Sequence, residues 1–65
     1  MLEEIILEIK KKRELSSLDD NFVKQKIEKI LQQDKRIREK VEGANSFKEL
    51  SRSKEFTELK KLVRA

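Results

Sequence analysis

Proline is absent from the chain and glycine occurs once, while apolar residues recur at three- and four-residue spacing. β-Branched residues never alternate with polar ones as they do in a half-buried strand. The pattern therefore predicts helices throughout: an all-α fold, a small bundle of three to five short helices with short loops and antiparallel neighbours. Size makes that bundle narrow. Ile, Leu, Val and Phe supply 20 of the 65 residues, above the roughly 20% under which chains tend to stay disordered. A chain of this length buries only about 60% of its unfolded surface. There is no cysteine, so neither a disulfide nor a thiolate metal site reinforces the core. Residues 1–65 are expected to form a single helical domain.

Leu2, Ile5, Ile6 and Ile9 stand at i, i+3, i+4 and i+7. Glu3 and Glu4 lie at the start of this stripe and Lys10, Lys11, Lys12 and Arg13 at its end. Both ends complement the helix dipole, and the first helix is expected over 2–13. Leu15 and Leu18 would anchor the following loop to the core. Ser17 with Asp20 three residues later approaches a capping box, which would start the second helix. Positions 23, 27, 30, 34, 37 and 41 then form a helical stripe interrupted only by Asp34. Either one helix runs from about 18 to 42, or the chain bends at Gln32-Gln33 and Asp34 caps a new helix. The bend is favoured, because Asp is a good N-cap and a poor interior residue.

Gly43 stands where a left-handed cap is expected to stop the helix. Ser46 and Glu49 fit a capping box for a short helix carrying Phe47 and Leu50, and Ser53 would cap a last helix. The expected core is Ile6, Ile9, Phe22, Val23, Ile27, Ile30, Ile37, Val41, Phe47, Leu50, Phe56, Leu59 and Val63. Leu2, Leu7, Leu31 and Leu62 are hardest to place inside. The last pattern reaches Val63-Arg64-Ala65 without Gly, Asn or Pro, the usual stop signals. Either the last helix frays there or the chain is the N-terminal piece of a longer one.

The absent residue types narrow the chemistry. His, Cys, Tyr and Trp are all missing, which removes the commonest general base, metal ligand and thiol nucleophile. A single glycine cannot build a phosphate-cradling loop. A carboxylate becomes a useful acid only when burial or a like charge raises its pKa, and each acid here stands among lysines. Asp19-Asp20-Asn21 lacks the glycine and distal Glu of a calcium loop, so it is expected to serve a helix start. No enzyme activity, cofactor or metal is expected. No apolar run reaches the length of a membrane span, and Met1-Leu2-Glu3-Glu4 is unlike a signal peptide. A cytoplasmic protein is expected. Abundant Lys and Glu with few thermolabile residues suggest a heat-adapted, thermostable one.

Charge is uneven along the chain. Residues 1–20 hold four bases and six acids, residues 21–42 seven and four, and residues 43–65 six and three, giving the net +4. The basic remainder favours an anionic partner. On a straight helix over 24–42, Lys26, Lys29, Gln33, Arg36 and Lys40 would share one flank without an acid. The last helix offers Lys54, Thr57, Lys61 and Arg64 at i, i+3, i+7 and i+10. Such rows track phosphates without reading sequence. All three Phe fit core positions, which leaves no ring to stack on bases. The competing reading is a solvated charged surface on a structural or protein-interaction domain, with an exposed apolar patch as its docking face.

Lys10-Lys11-Lys12-Arg13 leads into Leu15-Ser16-Ser17-Leu18-Asp19 and a helix starting near Phe22-Val23, and the last helix reads Glu58-Leu59-Lys60-Lys61-Leu62-Val63-Arg64. Over most of its length the chain thus resembles the helical N-terminal segment of archaeal SAM-dependent RNA methyltransferases related to the aminoglycoside-resistance ribosomal RNA methyltransferases. In that family the segment precedes the catalytic domain and helps grip RNA. The resemblance implies an RNA-contact role for Lys10 to Arg13 and the two basic stripes. The chain lacks the family's Gly-rich SAM-binding turn and catalytic residues, so no methyl transfer is assigned to it.

Overall fold

The computed structural model describes residues 1–12 and 15–64. It places five helices in chain order: α1 (Leu2–Lys10), α2 (Asp20–Gln33), α3 (Lys35–Gly43), α4 (Phe47–Ser51) and α5 (Lys54–Arg64). Among the described residues there are no strands, and the fold is the expected all-α bundle. α5 packs against α2, α3 and α4, and α1 packs against α2.

α1 buries Ile5, Ile6 and Ile9 and ends three residues sooner than expected. Lys11 N–H donates to Glu8 C=O and Lys12 N–H to Ile9 C=O, both at 3.3 Å. These i to i−3 bonds tighten the last turn and close it. No apolar residue follows Ile9 until Leu15, so continuing the rod would bury nothing. Arg13 and Glu14, the rest of the expected first helix and its boundary, lie outside the described residues. Leu15 is buried and Leu18 packs against the core, as expected of loop anchors.

The start of α2 differs from expectation. Its cap is Asp19, not Ser17, and the Asp19 carboxylate accepts from Asn21 N–H at 3.1 Å. Leu18 N–H bonds Leu15 C=O at 3.2 Å, so Ser17 is held within a turn that seats the two leucines. The next good acceptor along the chain takes the cap.

Asp34 ends α2 and begins α3 by itself, with φ −118° and ψ 101°. Its N–H donates to Ile30 C=O at 2.8 Å, and its carboxylate accepts from Ile37 N–H at 3.1 Å. The favoured bend is what forms. Gly43 is a correction: it is the last residue of α3, and among the described residues no residue has a positive φ. The chain leaves through Ala44, at φ −73° and ψ 134°, so the stop needs no left-handed residue. A Cβ at Gly43 would meet nothing within 4 Å.

The two serine caps form as anticipated. Ser46 Oγ accepts from Glu49 N–H at 3.2 Å. The return bond lands one residue upstream, from Asn45 N–H to Glu49 Oε2 at 3.3 Å. Ser53 Oγ accepts from Phe56 N–H at 3.1 Å while its hydroxyl donates to Leu50 C=O at 2.7 Å. One side chain thus ties the end of α4 to the start of α5.

Ile5, Ile9, Val23, Ile27, Ile37, Leu50, Phe56, Leu59 and Val63 are almost fully enclosed, and no described polar residue is buried with them. Phe47 meets Phe56 edge-on, with ring centroids 5.6 Å apart. Ile30, Val41 and Phe47 are partly buried against this core, as are Leu2 and Leu31. Phe22 was expected inside and is 49% exposed. Val23, Ile27 and Ile30 define the inward line of α2, and Phe22 stands about 105° from that line at ~100° per residue.

Two stability effects follow. Gly43→Ala should raise stability by about 0.5–1 kcal/mol, since it adds helix propensity where space is free; thermal melting reads this as a higher midpoint. Asp34→Ala should cost about 1 kcal/mol, seen as a lower urea midpoint with an unchanged slope.

Candidate nucleic-acid interface

The break at Asp34 divides the first expected basic stripe. Lys26 and Lys29 lie on α2, Arg36 and Lys40 on α3, and no continuous helical flank joins them. The straight-helix row through Gln33 is therefore corrected to two separate pairs.

Each of these four residues has its own surroundings. Lys26 is partly buried; its Nζ donates to Val63 C=O at 3.1 Å and lies 5.7 Å from the Phe22 ring centroid. A cation at the carbonyl end of α5 complements the helix dipole, so Lys26 joins α2 to α5. Arg36 is hydrogen-bonded to Glu58 through Nη2. That bond, with the charge of Glu58, raises the guanidinium pKa above its ordinary value. Lys29 is exposed, and Lys40 is partly exposed toward α4.

The second stripe holds together. On α5, Phe56, Leu59 and Val63 face inward. Lys54, Thr57, Lys61 and Arg64 are exposed on the opposite side. None of Lys54, Lys61 and Arg64 enters an ion pair with a described residue. Lys60 instead covers the Phe56 ring at 5.2 Å.

In the first helix region Lys10 Nζ pairs with Asp20 at 2.5 Å and Lys11 with Glu8 at 3.4 Å. Lys12 is exposed, and Arg13 lies outside the described residues. Asp19 and Asp20 are thus used in a cap and an ion pair. Among the described residues no three His, Cys, Asp or Glu side chains stand where they could share a metal ion. No helix among them is long and apolar enough to cross a membrane.

Two features escape a reading of the sequence. Lys48 and Arg52 join Lys40 around an open cleft of about 510 Å³, which Ser46, Glu49 and Ser53 complete. The only hint was the i, i+4 spacing of Lys48 and Arg52, and the short α4 gave it no visible face. The other is Phe22: with Lys26 and Lys29 it forms a mixed aromatic and basic flank of α2, so one ring is accessible after all.

No protein family, curated protein or solved structure matches the chain. The likeness to RNA methyltransferase segments therefore rests on the sequence patterns alone.

The structural use of Lys26 can be measured. Lys26→Glu should cost roughly 1–2 kcal/mol, because it loses a charged hydrogen bond and sets a carboxylate against the carbonyl end of α5. Urea denaturation should show this loss, with Lys26→Arg close to wild type.

Proposed function

We propose that this chain is a non-catalytic helical module that contacts RNA or another polyanion through its basic helix faces. The observation that supports this reading is the solvent face of α5, where Lys54, Lys61 and Arg64 enter no ion pair with a described residue and Thr57 adds no charge between them. Many of the described carboxylates are occupied: Glu8, Asp20, Glu39, Glu42 and Glu58 in ion pairs, and Asp19, Asp34 and Glu49 in caps. Glu55 and Glu58 share α5 with this stripe and reduce its charge, but three cations outnumber them there, and phosphates are the anions that rows of cations track. The resemblance to the RNA-gripping segment of RNA methyltransferases favours RNA, with this chain as the substrate-gripping part of a larger enzyme.

The alternative, a protein-interaction domain, would use exposed apolar residues. Leu7, Phe22 and Leu62 are 65%, 49% and 45% exposed, but they belong to α1, α2 and α5, and no observation joins them into one patch.

Affinity for single-stranded and duplex RNA across a salt series tests the proposal. Three phosphate contacts give a slope of log K against log salt of roughly −2 for single strands and −2.7 for duplex. Lys54→Glu with Lys61→Glu and Arg64→Glu should abolish binding and leave the helical circular dichroism unchanged. Absence of wild-type binding at low salt, or a folded triple variant that binds as wild type does, would refute it.

A further inference from the structure

We propose that the cleft between α3, α4 and the start of α5 holds the terminal phosphate of a nucleic-acid strand. This deepens the polyanion reading and rests on it: α5 would track the strand, and the cleft would take its end.

Three cations reach this concavity from separate places in the chain: Lys40 from α3, Lys48 from α4, and Arg52 from the turn before α5. None has an ion pair among the described residues. Arg52 brings a planar donor fork suited to phosphate oxygens, and the two lysines bring mobile point charges. Ser46 Oγ accepts from Glu49 N–H, which leaves its hydroxyl proton to donate toward the cleft. Ser53 offers nothing further, because its oxygen and its proton are both engaged by the backbone. It forms wall.

The charge balance selects the kind of phosphate. Among the described residues Glu49 is the only acid lining the cleft, and one of its oxygens already accepts from Asn45 N–H. Three cations against one carboxylate leave two positive charges. An internal phosphodiester carries one negative charge, whereas a phosphomonoester carries about 1.5–2 at neutral pH. The match is to a strand end. Ser53 lines the cleft and directly precedes α5, so a strand held by its end there would leave next to the start of that helix.

Titration of the intact chain, followed by backbone amide NMR, separates the two claims. The probes are inorganic phosphate and a ten-nucleotide RNA in 5′-phosphorylated, 3′-phosphorylated and unphosphorylated forms. Inorganic phosphate should saturably shift the amides of Ser46, Lys48 and Arg52, and chloride at equal ionic strength should not. One of the phosphorylated RNAs should bind about tenfold more tightly than the unphosphorylated form. Lys48→Ala with Arg52→Ala should remove that advantage while retaining the helical spectrum and the affinity for unphosphorylated RNA.

If inorganic phosphate does no more than chloride, the cleft proposal is overturned whatever the RNAs do. If phosphate binds but neither end phosphate adds affinity, the ligand is a free small phosphate and the strand-end assignment is wrong. Failure of the unphosphorylated RNA to bind at low salt counts separately, against the α5 reading.

Discussion

The inner face of α5 is the constraint on which the other elements depend. Phe56, Leu59 and Val63 are almost wholly enclosed, and this one helix packs against α2, α3 and α4. Each such side chain contributes about 1.5–3 kcal/mol when taken from water. In a chain this small, no second layer could replace that contribution. Ile27, Ile37 and Leu50 share the same enclosed core; without α5 a large part of it would face solvent. Because the inner face is fixed, the outer one is fixed too: residues turned away from Phe56, Leu59 and Val63 must point to water, and those include Lys54, Thr57, Glu58, Lys61 and Arg64.

The enclosed core contains no described polar group, so it favours compactness more than any particular set of bends. The bends come from single polar residues. Asp19, Asp34, Ser46 and Ser53 each accept a backbone N–H at the start of a helix, and in Asp34 and Ser53 one residue serves two helices. This has an electrostatic consequence. Caps and ion pairs occupy most of the described carboxylates from Glu8 onward, while Lys29, Lys40, Lys48, Arg52, Lys54, Lys61 and Arg64 enter no ion pair among the described residues.

What was legible in the sequence was local. Helix existence follows from apolar spacing, and the caps at Asp34, Ser46 and Ser53 follow from side-chain chemistry within three residues. What was not legible depends on neighbours distant in the chain. Phe22 is as apolar as Phe56, and only the packing of α2 against α1 and α5 decides that it stands outside. The Ser17 cap lost to Asp19 because Leu15 and Leu18 needed a turn of their own. Gly43 stops α3 without a left-handed conformation, since α3 had already used Ile37 and Val41 and gained nothing by continuing. The candidate site divides in the same way. The α5 stripe lies on one unbroken helix and could be read directly. The flank from Lys26 to Lys40 required a rod that Asp34 breaks, and the cleft brings Lys40 to Lys48 and Arg52 only after α3 and α4 have both packed against α5.

Dimensions decide how this charge acts on a partner. The chain measures 29 × 23 × 17 Å, and at physiological ionic strength electrostatic influence fades over about 8 Å. Every axis therefore spans about two to four screening lengths. Glu3 and Glu4 at the start of α1 exert little effect across the molecule, and an approaching anion responds to the nearest surface, not to the overall net charge of +4. A phosphate chain lying on α5 would meet three cations spread over an eleven-residue helix, an arrangement suited to tracking and easily weakened by salt. Lys40, Lys48 and Arg52 line one open concavity, and on the proposed reading their charge would act on a single bound group instead of along a strand. On the proposed reading the α5 face would track a strand and the cleft would hold its end, and a strand held by both would keep a defined position where either part alone would let it slide.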